Sequence, residues 1–327
     1  LNFSLERNVG TIIIDNFCEL ELLEQIANKL NKKVNIMVRI IPGVDTHTNE
    51  KIKTGQVDSK FGIPIRDFLD FFPEIIAKKQ LIYQGIHCHI GSQLFDMQFY
   101  HLAAKEMIET IKSIEDKYRV KTNMLNLGGG LGARYTQKDP YLSISDYVHQ
   151  LVKRVKEICS EKKLAVPKLL VEPGRSIIAE AGITLYSIGA IKEIKGLKKY
   201  LIVDGGMADN PRPSLYDARY EALLVNKFGE EAVENVTIAG KYCESGDVLI
   251  DNIKLPRAEC GDLLVFFTTG AYHYTMSSNY NGFPRPPVIL VNKGMDGLMV
   301  KGETYQYLNQ NHIIPEWLNH NGTYGAK

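Results

Sequence analysis

Hydrophobic and polar positions change rhythm once along the chain, near residue 180. Before that point, short apolar runs alternate with stretches whose apolar residues recur every three or four positions. The runs Thr11–Asp15, Val34–Ile41, Leu81–Ile90, Asn123–Leu127 and Lys168–Glu172 predict strands. The stretches Cys18–Leu30, Tyr100–Tyr118 and Ser145–Lys162 predict amphipathic helices. The first of these carries Leu20, Leu23, Ile26, Ala27 and Leu30 on one stripe, and the last carries Val148, Leu151, Val152, Val155, Ile158 and Cys159. A repeated strand–helix order reads as parallel β/α architecture. The strands are apolar on both sides, as a parallel sheet covered on both faces requires. Five strands are visible, where a closed barrel of this kind needs eight. The pattern admits an open, doubly wound sheet, or a barrel whose first three strands precede Leu1.

After residue 180 the helical rhythm nearly stops. Thr184–Ile194, Lys199–Asp204, Val236–Lys241, Val248–Ile253, Asp262–Thr268, Val288–Val291 and Gly297–Lys301 are short, β-rich and separated by Gly, Pro and Asp. They predict an antiparallel β domain, interrupted by one helix near Tyr220–Phe228. The organisation expected is therefore a β/α domain over 1–180 and a β-rich domain over 181–327.

Composition narrows the function classes. Apolar residues make up 44% of the 327 and charged residues 24%, so the chain can bury a core. With 39 basic and 38 acidic residues the net charge is +1, which leaves no broad electrostatic footprint for nucleic acid. No apolar run approaches the ~18 residues that mark a membrane span. Cys18, Cys88, Cys159, Cys243 and Cys260 are widely spaced and form no CxxC pair, which disfavours a disulfide framework or a zinc knuckle and points to a reducing cytoplasm. No secretory leader is visible. The chain opens on Leu1 rather than Met, and a strand-like run follows almost at once; it is expected to begin part-way through something larger.

Chemistry in a β/α sheet collects at the C-terminal ends of the strands. The third predicted strand ends in His87-Cys88-His89-Ile90-Gly91-Ser92-Gln93, the fourth in Asn126-Leu127-Gly128-Gly129-Gly130-Leu131-Gly132, and the fifth in Glu172-Pro173-Gly174-Arg175. All three fall on one rim. Consecutive glycines let backbone N–H groups converge with no Cβ in the way, which suits a phosphate; the same residues also make an ordinary tight turn. The triplet lacks the Lys-Ser/Thr of a P-loop and the spacing of a dinucleotide fingerprint, so ATP and NAD are disfavoured. Glu172 and Arg175 read as a salt bridge or as ligand contacts. His87 and His89 share a strand face, but no third His, Asp or Glu sits at a ligand spacing, and no metal is expected. In the β-rich half, Arg212–Asp217, Cys243–Asp247 and the aromatic-rich Gly270–Asn281 stand out.

Together these segments resemble the diaminopimelate decarboxylase family. These are fold-type III pyridoxal-phosphate enzymes, related to ornithine and arginine decarboxylases and, in the barrel, to alanine racemase. The match runs in family order through His87–Gln93, Asn126–Gly132, Glu172–Arg175, Arg212–Tyr216, Cys243–Asp247 and Gly270–Asn281, and Asp58-Ser59-Lys60-Phe61-Gly62 also fits. The resemblance implies an alanine racemase-like α/β barrel, TIM-type and incomplete here with about five of eight strands, followed by an antiparallel β domain. It implies a cytoplasmic homodimer with shared active sites, acting on a small amino acid and not on nucleic acid or membranes. It also implies that the family's Schiff-base lysine lies upstream of Leu1, so that the chain by itself is inactive. Tyr118-Arg119-Val120-Lys121-Thr122-Asn123 imitates the motif around that lysine. Lys121, however, precedes its strand, and five strand residues at about 3.3 Å each span about 17 Å, too far for a lysine at the opposite end to reach.

Roles follow residue by residue from the resemblance. Glu172 is the carboxylate partner of the pyridine nitrogen, and His89 stacks on the ring, with His87 as a supporting core residue. Ser92, Gly128, Gly129, Gly130, Pro173, Gly174, Arg175 and Tyr272 complete the cofactor site for pyridoxal 5'-phosphate. Arg175, Arg212, Tyr216 and Tyr272 bind the substrate, with Glu244 on its distal ammonium. Cys243 is the proton donor; as a lone cysteine it also reads as a small buried hydrophobe. Ornithine has no distal carboxylate, so it would leave buried arginines unpaired, at a cost on the order of several kcal/mol. The implied reaction is decarboxylation of meso-2,6-diaminopimelate to L-lysine, the last step of bacterial lysine biosynthesis. A related decarboxylase of ornithine, arginine or carboxynorspermidine, or a non-catalytic binding chain, remains as an alternative.

Overall fold

The computed structural model describes residues 1–44 and 59–318; Asp58, in the segment matched above, lies outside them. The chain forms two compact units. The first comprises Leu1–Gly182 and Thr268–Ala271, and the second Ile183–Phe267 and Tyr272–Lys327.

In the first unit, strands β1 (Ile12–Ile14), β2 (Val34–Ile41), β4 (Leu81–His87), β5 (Met124–Asn126) and β6 (Lys168–Leu170) lie side by side in that order, with β3 (Ile63–Pro64) paired to β2. Every pairing is parallel. Helices α2 (Phe17–Leu30), α3 (Ile65–Ala77), α4 (Met97–Tyr118) and α5 (Ile144–Glu161) connect them, after a short α1 (Asn2–Glu6), and a one-turn α6 (Arg175–Ile178) follows β6. Helices α2, α4 and α5 start where side chains satisfy otherwise orphaned N–H groups. Asn16 caps α2 by accepting from Glu19 N, and Ser143 caps α5 by accepting from Asp146 N. One stripe of each helix is buried: Leu20, Leu23 and Ala27 in α2, Phe68, Phe72 and Ile75 in α3, Leu151, Val155 and Ile158 in α5. They pack with Ile36, Val38, Ile40, Ile86 and Leu125 from the strands in one core. Burial of such apolar area, not strand propensity, fixes the sheet. Among the described residues, no helix is long and apolar enough to cross a membrane.

The ladders stop earlier than the apolar runs predict, at His87, Asn126 and Leu170. Glycine backbones explain where the strand conformation is left: Gly91, Gly128 and Gly130 have φ of 142°, 68° and 106°. The tips remain tied by single bonds, Cys88 N to Asn126 O (2.9 Å), Leu127 N to Leu170 O (3.1 Å) and Glu172 N to Gly128 O (2.8 Å).

The second unit holds a sheet ordered β11-β10-β8-β7-β12-β9. Its strands are β7 (Thr184–Ile194), β8 (Lys198–Val203), β9 (Ala222–Leu224), β10 (Glu234–Ala239), β11 (Val248–Leu255) and β12 (Leu263–Phe266). All its pairings are antiparallel except β8 with β10. A hairpin of β13 (Val288–Asn292) and β14 (Met295–Val300) stands apart from that sheet. The helix expected near Tyr220–Phe228 is not one. Ala222–Leu224 is strand β9, with Leu224 opposite Leu264, and a 3-10 turn Val225–Lys227 follows. A run of four apolar residues fits either period, and the open edge of β12 decides for the strand. Helix α7 (Arg212–Tyr216) forms just before it.

Gly85 shows how tightly the parallel strands approach. It lies opposite Met124, beside a register shift in the β2·β4 ladder, and a Cβ there would come within 1.9 Å of Met124 O. A glycine at such a point is required by backbone contact. Gly85→Ala is expected to destabilise the protein by about 2–3 kcal/mol, the upper range for overpacking, seen as a lower urea midpoint in far-UV circular dichroism.

Candidate active site

The β4, β5 and β6 tips bring three polar groups together in the first unit. Arg39, His87, Asn126 and Leu170 are in register across the sheet, which places the first three side chains at one level on neighbouring strands. Glu172 lies two residues beyond the end of β6. Its carboxylate accepts from Asn126 Nδ2 through Oε1 (2.7 Å) and meets His87 Nε2 through Oε2 (3.4 Å). An ionised carboxylate only accepts, so Nε2 carries the proton in that contact. The hydrogen bond from His87, reinforced by its charge and by Asn126, holds the Glu172 carboxyl down to about 2 against the desolvation that opposes it. The side chain is nevertheless 47% exposed: an anion, fixed on two sides and open on another.

His89 follows on the same strand end. Its Nδ1 accepts from Gly129 N at 3.2 Å, so the neutral ring carries its proton on Nε2. Burial first, then the nearby Arg39 and His87, push its pKa down to about 4. A neutral, oriented imidazole thus stands beside an anionic carboxylate. Arg39 in turn contacts Asp15 Oδ1 (3.3 Å) and lies over the Phe61 ring, with its guanidinium carbon 4.6 Å from the ring centroid.

The glycine triplet does something different from what its sequence suggests. Gly128 N donates to Asn126 Oδ1 (2.9 Å) and Gly129 N to His89 Nδ1 (3.2 Å). Two of the three N–H groups are therefore engaged inside the protein. Among the described residues no partner is seen for Gly130 N–H. A Cβ on Gly128, Gly129 or Gly130 would come within 2.4, 2.3 or 2.4 Å of Cys88 O, Glu172 O or Gly91 O. Adjacent strand tips, not ligand clearance, exclude larger residues here.

Arg175 is buried, where the sequence leaves it as a salt-bridge or ligand candidate. Its Nη1 donates to Tyr135 OH (2.7 Å), while Nε and Nη2 reach Ser92 Oγ (3.3 and 2.9 Å). Ser92 Oγ accepts twice, which directs its own proton elsewhere. Pro173 and Gly174 join Glu172 to Arg175, and a Cβ on Gly174 would meet open space. Asn126, Arg39, Asp15 and Tyr135 were not singled out from sequence. Arg39 did have a signal, a charge within an otherwise apolar strand. Asn126 was named only as the start of the strand-end segment that holds the triplet, with no role assigned.

The second unit carries the remaining candidates. Arg212 and Tyr216 open and close α7, four residues apart and hence on one face. Arg212 is buried and donates from Nη1 to Tyr220 OH at 2.5 Å. Asp247 accepts from Met207 N (2.6 Å) and Tyr242 N (2.8 Å), tying the 242–247 loop to the turn ahead of α7. On that loop Cys243 is an exposed free thiol whose backbone N–H donates to Asn281 Oδ1 (3.1 Å). Glu244 is exposed beside it and accepts from Tyr280 OH (3.3 Å). Tyr272 is exposed, with a left-handed φ of 56°. His273 is buried near Arg212, and burial pushes its pKa down to about 4.

Comparison with known proteins gives the same direction. Residues 1–179 match the model of the pyridoxal-binding domain of pyridoxal-dependent decarboxylases. The chain is 44% identical over 308 residues to diaminopimelate decarboxylase of Bacillus subtilis (strain 168), covering 94% of this chain and 70% of that protein. Among solved structures, diaminopimelate decarboxylase from M. jannaschii in complex with L-lysine superimposes with a TM-score of 0.90 at 31% identity, over 97% of this chain and 72% of that one. The Helicobacter pylori enzyme complexed with L-lysine gives 0.86 at 28% identity, over 94% and 74%.

His89 and Glu172, together with the buried His273, shape the acid limb of stability. His89 is held neutral, so its contribution is full above its ordinary 6.5 and is lost as pH falls toward about 4. Glu172 is held ionised, so its contribution is full above 4.5 and is lost as pH falls toward about 2. Chemical denaturation at stepped pH should show stability declining through both windows, with His89→Gln reducing the slope in the upper one, where His273 supplies the remainder. An unchanged slope between pH 6.5 and 4 in that variant would contradict the assignment.

Proposed function

From a chain that belongs to the pyridoxal-dependent decarboxylase family, and within it to the diaminopimelate decarboxylases, we propose an enzyme that releases one carboxyl group of meso-2,6-diaminopimelate as CO2 and forms L-lysine. The observation that carries this reading is the Glu172 carboxylate, anionic and partly exposed, held between His87 and Asn126 next to the neutral His89. These residues fit pyridoxal 5'-phosphate. That cofactor supplies a conjugated, protonated ring able to take up the electron pair left on the α-carbon when CO2 departs.

The residues of this chain divide the binding, orienting and proton-transfer roles. Glu172 faces the ring nitrogen, and its negative charge favours the protonated nitrogen. His89 lends a flat, uncharged face for stacking, its rotation stopped by Gly129 N–H. The phosphate is held by the Ser92 hydroxyl, Gly130 N–H and the Gly174-Arg175 backbone, with Tyr272 as a further contact. Gly128, Gly129 and Pro173 shape that seat. Arg175 acts on it through Ser92 and brings a positive charge toward the substrate.

Arg212 and Tyr216 bind the distal carboxylate, for which the planar guanidinium offers paired donors. Glu244 pairs with the distal ammonium. The Cys243 thiol delivers the proton that replaces the lost carboxyl on the α-carbon. L-lysine, present in the two solved relatives, is the product of this reaction. We place the enzyme in the cytoplasm as a homodimer with shared active sites. Exposed Leu290, Val291, Met295, Leu298 and Met299 on the β13–β14 hairpin support association.

Turnover assays on the full natural chain test the reaction. CO2 release from meso-diaminopimelate should exceed release from ornithine by at least about 10²-fold, the scale of a lost charged hydrogen bond, and Arg212→Gln should narrow that gap. Comparable turnover of ornithine would reject the substrate assignment. Light scattering during size-exclusion chromatography should give twice the chain mass at micromolar protein; a monomer would reject the dimer.

A further inference from the structure

Asn126 is used from both ends of its amide. Nδ2 donates to Glu172 Oε1 (2.7 Å), and Oδ1 accepts from Gly128 N (2.9 Å). The two bonds fix the amide's orientation, since a flipped amide would set oxygen against carboxylate and NH2 against N–H. Glu172 N also donates to Gly128 O at 2.8 Å. Asn126, Gly128 and Glu172 thereby close a ring of three hydrogen bonds between the tips of β5 and β6. Asn126 is 4% exposed, so water does not replace either bond readily.

We propose that Asn126 is a positioning residue for the decarboxylation, holding the Glu172 carboxylate in orientation and tying it to the glycine turn. The proposal rests on the cofactor reading above and adds a residue to it. Glu172 is 47% exposed and would otherwise sample several rotamers. His87 secures one oxygen and Asn126 the other. The side chain at 126 must donate toward Glu172 and accept from Gly128 N–H at once. An ionised aspartate only accepts, and serine is too short to span both.

Asn126→Asp tests this with nearly the same shape. It keeps an acceptor for Gly128 N–H but faces Glu172 with a second carboxyl group. Two carboxylates sharing a site do not both ionise readily. In protein without cofactor, carbon-detected NMR of the Glu172 carboxyl should show its titration displaced upward by about two pH units, while far-UV circular dichroism stays unchanged. Affinity for pyridoxal 5'-phosphate, read from its absorbance change on binding, should fall about tenfold or more. Asn126→Ser retains an oxygen near Gly128 N–H without adding charge. It should give a smaller displacement and weaker cofactor binding, and it serves if the aspartate variant does not fold. Glu172 titrating in either variant as in the parent would overturn the proposal. If the parent bound no pyridoxal 5'-phosphate, the functional reading would fall; the Glu172 titration, measured without cofactor, decides the Asn126 clamp by itself.

Discussion

A carboxylate kept ionised at the tip of a parallel strand is the feature on which the rest of the site depends. Glu172 is not isolated in a low-dielectric interior, where its charge would be expensive. It stands half in solvent and is held from two neighbouring strands, by His87 at the end of β4 and Asn126 at the end of β5. Parallel pairing supplies that arrangement directly. Strands running the same way end on the same side, so residues far apart in sequence meet there, with crossover helices α4 and α5 returning the chain between them. The apolar core beneath holds the tips in register, and the glycines let them approach.

The two histidines at the end of β4 divide the work. His87, buried, supports the carboxylate, and His89, partly exposed, is kept neutral by burial and by the positive charge of Arg39. Exchanging the roles would leave the carboxylate without its donor. The Gly129 N–H that fixes His89 and the Gly128 N–H that fixes Asn126 belong to the same turn. That turn therefore joins both halves of the site, and much of its backbone donor capacity goes to organising side chains.

Much of this was legible in the sequence, because period and position carry it. The alternation of apolar runs with helical stripes located most of the parallel strands and three of their helices, and strand ends marked His87, His89, Asn126 to Gly130 and Glu172 as neighbours. Short β3 went unnamed, since two paired residues leave no pattern to read, whereas helix α3 carried a readable stripe, Phe68, Phe72 and Ile75, that was passed over. Tyr220–Phe228 misled because its apolar run is too short to declare a period. The triplet's N–H groups read as ligand donors because a sequence does not show which acceptors are already at hand. Asn126 was marked by its place at a strand end but given no role, and Tyr135 was missed, for the same reason: their importance lies in whom they touch, Glu172 and Arg175.

Diffraction from crystals of the protein grown with pyridoxal 5'-phosphate tests the central claim most directly. The account predicts the pyridine nitrogen within about 2.7–3.0 Å of a Glu172 oxygen, the length of a charge-assisted hydrogen bond, with the His89 ring against one face of the cofactor. A ring bound elsewhere, or one whose nitrogen faces away from Glu172, would contradict it.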